Sequence, residues 1–124
     1  MNIVDSSGWL AYFADEPGAK HFLVPLNDTA SLVVPTITIY EVCKVILRES
    51  SENEALQAAM AMRKGTVADL TASSAMAASK LSMEYNLPMA DSIILATAQE
   101  FNAIIWTQDS DFKNISNVKF FPKK

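Results

Sequence analysis

A chain of 124 residues, half of them apolar and only three of them glycine, is long enough for one globular domain with a single buried core and little loop. Ten Lys and Arg against fourteen Asp and Glu give a net charge of −4, which argues against a surface that grips nucleic acid by backbone electrostatics alone. Cys43 is the lone cysteine, which excludes a disulfide framework and a zinc-type cysteine pair, and no run of about 18 or more apolar residues is available for a membrane span. The first residues carry Asp5 rather than a basic region ahead of an apolar segment, so no signal peptide is read there. A reducing, cytoplasmic setting away from membranes is the expectation.

The first strand is Asn2 to Val4, and a helix follows, with Ser6 or Ser7 available to cap it. Trp9, Leu10, Tyr12 and Phe13 fall at helical spacing. Pro17-Gly18 ends that helix, and a second is expected from about Ala19 to Leu26. Ser31 to Val34 reads as a short apolar strand ended by Pro35. A third helix starts at Thr36 or Thr38 and runs to Arg48. A fourth begins after Ser50-Ser51 and ends before Gly65. Thr66 to Leu70 is a third strand. Thr71 caps an Ala-rich helix to Tyr85, Asn86-Leu87-Pro88 breaks the chain, and Met89 to Phe101 is the last helix. Ala103 to Trp106 and Val118 to Phe121 complete the strands. Strands alternating with helices predict a parallel sheet covered on both faces, with ligands bound beyond the carboxyl ends of the strands.

Four acids interrupt or end the apolar stretches: Asp5 after Asn2-Ile3-Val4, Glu41 inside Ile37-Thr38-Ile39-Tyr40-Glu41-Val42, Asp91 ahead of Ser92-Ile93-Ile94-Leu95-Ala96, and Asp109 after Ile104-Ile105-Trp106-Thr107-Gln108. A carboxylate in apolar surroundings is costly unless something pairs with it. No run of Lys or Arg lies nearby in sequence. Each acid taken singly has an ordinary alternative. Asp5 could cap the first helix, Glu41 could pair with Lys44, Asp91 could favour a helix N-terminus, and Asp109 could open a turn. Four together at element boundaries point to a shared cation. Two unit charges ~4 Å apart repel by roughly 4 kcal/mol at an effective dielectric near 20. Oxygen-only donors favour Mg²⁺ or Mn²⁺ over Zn²⁺. Two divalent ions would also cancel the net charge of −4.

The segments Leu87 to Ala98 and Ile104 to Phe112, with Thr107-Gln108-Asp109-Ser110-Asp111-Phe112 at the end of the second, resemble the C-terminal half of PIN domains, and of the VapC-type toxins of toxin–antitoxin pairs in particular. Val4-Asp5-Ser6-Ser7 is similar to that family's opening strand, and Glu41 to the Glu on its third helix. The resemblance covers the whole chain as a single domain, residues 1–124. It implies an α/β fold, a three-layer α/β/α sandwich with a short, mainly parallel central sheet. It implies that Asp5, Glu41, Asp91 and Asp109 are the catalytic metal-binding quartet. Asp111 matches a further acid near the site, and Ser6 and Thr107 match supporting hydroxyls. The activity implied is Mg²⁺- or Mn²⁺-dependent endoribonuclease cleavage by two-metal phosphodiester hydrolysis, leaving 5′-phosphate and 3′-hydroxyl ends. The partners implied are an RNA substrate and an inhibitory VapB-like antitoxin. A catalytically silent PIN-like binding module is the alternative.

Competing classes fit less well. A phospho-receiver domain needs an Asp after a middle strand, and none follows Ser31 to Val34. In a haloacid-dehalogenase-like phosphatase the motif Asp109-Ser110-Asp111 would fall at the wrong end of the chain. The remaining features have plain readings. Met60, Met62, Met76, Met83 and Met89 are core or interface filler, and the apolar helices from Glu54 to Tyr85 predict a homodimer. Trp9 and Trp106 are core residues, His21 is a helix residue, and Lys44, Arg48 and Lys113 are solvated surface. Lys123-Lys124 is too short to act as a basic tail.

Overall fold

The computed structural model describes residues 1–123. Strand β1 (Asn2–Val4) lies between β4 (Ile104–Thr107) and β2 (Val33–Pro35). It pairs with β4 along its length and touches the β2 side through one parallel bridge from Asn2 to Leu32. Beyond them lie β5 (Val118–Phe120), on β4, and β3 (Thr66–Ala68), on β2. The order across the sheet is therefore β3-β2-β1-β4-β5, and every ladder among the described residues is parallel.

Period-2 alternation sends neighbouring side chains to opposite faces. Ile3, Val33 and Ile105 pack on one face with α5 (Ala72–Tyr85) and α6 (Met89–Glu100). Val4 and Val34 pack on the other with residues of α1 (Ser6–Phe13), α2 (Leu23–Asn27), α3 (Thr36–Glu49) and α4 (Glu52–Met62). The result is the expected three-layer α/β/α sandwich, with its core divided by the sheet into two clusters rather than gathered into one. Residues Asp91 to Ala98 of α6 are all buried, which is why this helix shows no polar face in the sequence.

The element boundaries follow local chemistry. Asp5, not Ser6 or Ser7, caps α1, its side chain accepting from the Gly8 amide. Ser51 caps α4. Thr71 and Ser74 form a reciprocal capping box on α5, and Asn86 closes that helix in the left-handed conformation at φ 55°. The single helix expected over Ala19 to Leu26 is instead a 3-10 turn, Pro17–Phe22, followed by α2. A continuous helix would need an amide at Pro25 to reach the His21 carbonyl, and proline has none. In the shorter α2, Pro25 occupies the third position, where an amide would have no partner within the helix. Strand β2 is displaced towards Pro35, because Ser31 belongs to a preceding 3-10 turn, Thr29–Ser31. Pro35 ends the strand, where a missing donor is tolerated. Among the described residues no helix is long and apolar enough to cross a membrane.

Candidate active site

Parallel strands bring their carboxyl ends to one rim, and the four sequence-selected acids converge there. Asp5 directly follows β1, Asp109 lies two residues past β4, Glu41 sits in the second turn of α3 beyond β2, and Asp91 is in the first turn of α6. Mutual repulsion registers the convergence. Asp109 raises the pKa of Asp5, Glu41 and Asp91, and Asp5 adds to the rise at Asp91. Every charge named as acting on these three carboxyls is another carboxylate.

Asp5 is 2% exposed and tightly held. Its Oδ1 accepts from the Ser7 hydroxyl at 2.7 Å and from the Gly8 amide at 3.1 Å, and its Oδ2 accepts from the Thr107 hydroxyl at 2.7 Å. Burial still wins over these three donors and lifts its pKa to about 6. A carboxylate has about four acceptor positions, so one on Oδ2 stays free for a further partner. Thr107 also accepts from the Asp109 amide at 2.8 Å, so one buried hydroxyl ties Asp5 to Asp109.

Asp109 opens a 3-10 turn, Ser110–Phe112, by accepting from the Asp111 amide at 2.9 Å. The fully buried Phe112 anchors this turn in the core. Carboxylate oxygens of Asp91, Asp109 and Asp111 consequently lie within 4.8 Å of one another. Desolvation raises Asp91 to about 8, with Asp109 next in effect. The nearby Asp111 adds to the rise, since two carboxyls this close are favoured when one of them holds a proton. Glu41 and Asp5 stand outside this compact trio. Burial raises the pKa of Glu41 too, and the Ser6 hydroxyl works against the rise. The Glu41 Oε1 atom is buried with no hydrogen-bond partner.

These residues fit a hard divalent cation. All the donors are oxygen, three carboxylates crowd within reach of a common centre, and Glu41 keeps a buried oxygen without a hydrogen-bond partner. Without a cation the cluster must hold protons instead, and the values of about 6 and about 8 record that preference.

A match to the PIN domain family model spans residues 3–118, nearly all of the chain. The chain belongs to the PIN domain family. This PIN domain also superposes on solved structures of similar fold. A toxin–antitoxin complex from Klebsiella pneumoniae aligns with a TM-score of 0.84 at 23% identity, covering 99% of this chain and 100% of that one. VapC20 of Mycobacterium tuberculosis, a sarcin-ricin loop cleaving toxin, aligns with a TM-score of 0.78 at 17% identity, covering 94% and 95%. DNA-bound VapBC from Salmonella typhimurium aligns with a TM-score of 0.76 at 15% identity, covering 98% of each chain. At these identities the likeness establishes the fold. No curated protein matches the chain by sequence.

Two residues of the candidate site, Ser7 and Gln108, were not singled out as site residues in the sequence, whereas Asp111 was. Ser7, rather than Ser6, supports Asp5, while Ser6 faces Glu41. Gln108 joins the network by donating its amide to the Ser7 hydroxyl at 3.1 Å and its side-chain nitrogen to the Ser7 carbonyl at 3.4 Å. The adjacent hydroxyls of Ser6-Ser7 were the signal in the sequence, but which one turns inward depends on the helix phase set by the Asp5 cap. Asp111 is exposed yet belongs to the tightest carboxylate group, and its i+2 spacing from Asp109 is the visible sign of that turn.

Proposed function

We propose that the protein is a VapC-type toxin, an endoribonuclease dependent on Mg²⁺ or Mn²⁺ and restrained by a cognate VapB-like antitoxin. The observation that carries this reading is the convergence of Asp5, Glu41, Asp91 and Asp109 at one rim of a PIN fold, with only carboxylates acting on one another there. In this reading the quartet holds the metal, with Asp111 beside it. A bound divalent cation would supply Lewis acidity to the scissile phosphate and to the attacking water. The water oxygen forms a bond to phosphorus as the bond to the 3′ oxygen breaks. The products are a 5′-phosphate and a 3′-hydroxyl.

The chain's own residues prepare that chemistry. Thr107 and Ser7 fix the rotamer of Asp5, and the same Thr107 fixes the backbone at Asp109. Prepaid positioning of this kind is the protein's main share of a phosphodiester hydrolysis.

Exposed apolar side chains support the reading of protein partners. Val24, Tyr40, Leu56 and Met60 are exposed on α2, α3 and α4, apolar side chains of the kind an antitoxin segment could cover. Met76, Met83 and Met89 are exposed around α5 and α6, beside an apolar groove of about 530 Å³, and fit a homodimer contact. Of the five methionines considered, only Met62 is core.

The test is expression of this chain in a bacterial host, with and without its adjoining reading frame. Growth arrest that the neighbour relieves, and that Asp5→Asn abolishes, is the expected result. Normal growth of wild-type and Asp5→Asn cells alike, without the neighbour, would overturn the toxin reading.

A further inference from the structure

A second feature adjoins the carboxylate network through Gln108. A cleft of about 250 Å³ opens between the 3-10 turn Pro17–Phe22 and the chain's C-terminal end. Lys20, His21 and Lys123 line it against one acid, Glu16. That local excess of positive charge stands out in a chain of net charge −4. Lys20 and Lys123 are exposed, so both ammonium groups are available to a ligand. His21 is held flat: its ring stacks on Phe121 with centroids 4.6 Å apart and planes 11° apart. Phe121 stacks in turn on Trp106, and the Lys119 ammonium covers Trp106 at 4.4 Å. The imidazole is therefore the end plate of a braced aromatic stack.

Gln108 lines the same cleft and immediately precedes Asp109 in sequence. Two hydrogen bonds in series, through the Ser7 hydroxyl, link it to Asp5. Gly18 lets Gln108 close the wall, since a Cβ there would lie 2.6 Å from Gln108 Oε1. The cleft is smaller than the roughly 300–1,000 Å³ of pockets for drug-sized ligands. It suits one planar base with its phosphate.

We infer that this cleft seats a nucleotide of the RNA strand flanking the cut phosphate, with Lys20 and Lys123 on its backbone phosphates and His21, braced by Phe121, stacked on its base. The inference rests on the ribonuclease reading above and adds the strand contacts that the acidic rim cannot make. A planar face and two mobile cations are the parts from which sequence-tolerant single-strand sites are made.

The experiment measures binding of a short, labelled, randomised single-stranded RNA pool to Asp5→Asn protein across a salt series, and cleavage of the same pool by otherwise wild-type protein. In the binding arm the variants Lys20→Ala/Lys123→Ala, His21→Ala and His21→Phe are added to Asp5→Asn. Arg63→Ala/Lys64→Ala, ahead of β3 on the opposite rim, is the control. Removing the two lysines should flatten the slope of log affinity against log salt by about 1.4, at ~0.7 per phosphate contact on a single strand. His21→Ala should weaken binding roughly tenfold, and His21→Phe should restore it, because stacking survives. In the cleavage arm these variants should raise KM with kcat largely kept. Unchanged affinity, salt slope and KM in the cleft variants would overturn the seat while leaving the ribonuclease reading intact. Binding of polyglutamate as tight as that of RNA, with no effect of His21→Ala, would make the cleft an acidic-peptide site and overturn it too. A wild-type protein that neither binds nor cleaves RNA would overturn both readings.

Discussion

Thr107 donates to Asp5 Oδ2 and accepts from the Asp109 amide, so a single buried hydroxyl positions two carboxylates from different strands. Replacing it with valine keeps the shape and removes both contacts. An unpaired buried donor or acceptor costs about 1–3 kcal/mol. Thr107→Val should therefore lower stability by about that amount in urea melts and cut RNA cleavage sharply, while Thr107→Ser keeps most of both. Equal activity in Thr107→Val would mean that Asp5 does not need this support. Asp91 invites a second substitution. Burial and the neighbouring Asp109 hold its pKa near 8, so Asp91→Asn removes a group that resists ionisation. Metal-free Asp91→Asn should melt at or above the wild-type temperature at pH 8, and should lose the gain that Mn²⁺ gives the wild type. At this scale the sequence was readable where an acid ended an apolar run, because few structures tolerate that without a reason. It offered both Ser6 and Ser7 without showing which one turns to Asp5, and it was silent on the His21 cleft. Lys20, His21, Gln108 and Lys123 meet only after folding, and nothing in their local sequence announces it.

Gly8 shows how α1 is seated on the sheet. A Cβ at this position would lie 2.5 Å from Val4 Cγ1 and 2.9 Å from the Phe22 ring. Gly8→Ala gains helix propensity but overpacks two buried side chains. Overpacking typically costs about 1–3 kcal/mol, more than the roughly 1 kcal/mol that alanine returns in a helix. The variant should unfold at lower urea concentration with an unchanged slope, and a midpoint at or above wild type would contradict the packing described. Most elements were visible in advance from caps and breakers. Thr71, Ser51, Gly65 and Pro88 all stand at or beside the boundaries expected of them. One stretch that differs is the helix expected over Ala19 to Leu26, which the missing amide of Pro25 divides into a 3-10 turn and α2. Asp5 has two expected roles in the sequence, ligand and helix cap, and its side chain does cap the helix. The two roles are compatible, since one acceptor position on Oδ2 remains.

For the molecule as a whole, the acidic rim sets how stability responds to pH and metal. Asp5 and Asp91 have folded pKa values of about 6 and about 8, above the ordinary 3.8. Raised carboxyl values mean that the folded state binds more protons than the unfolded chain between those limits. Their contribution is thus fully present below about pH 4 and is lost as pH rises through 6 and then 8. A tenfold difference in proton affinity between the folded and unfolded states is worth about 1.4 kcal/mol. In EDTA, the melting temperature should include a component that falls from pH 5 to pH 8. Metal reverses the dependence, because binding displaces the protons: Mn²⁺ affinity should climb over the same range, with proton release detectable by calorimetry in buffers of different ionisation enthalpy. A hundredfold excess over the dissociation constant would add about 2.7 kcal/mol to stability. Metal affinity independent of pH between 6 and 8 would contradict the protonated state assigned to Asp91.

The most direct measurement is cleavage of RNA by the purified chain in Mn²⁺ or Mg²⁺ and in EDTA, with the ends of the products identified, beside Asp109→Asn prepared in the same way. Asp109 is the carboxylate that acts on Asp5, Glu41 and Asp91 alike, so its charge is central to the site. Wild type with metal should give fragments with 5′-phosphate and 3′-hydroxyl ends, and none should form in EDTA or with a folded Asp109→Asn. Cleavage that persists in EDTA or in Asp109→Asn would contradict this reading of the site.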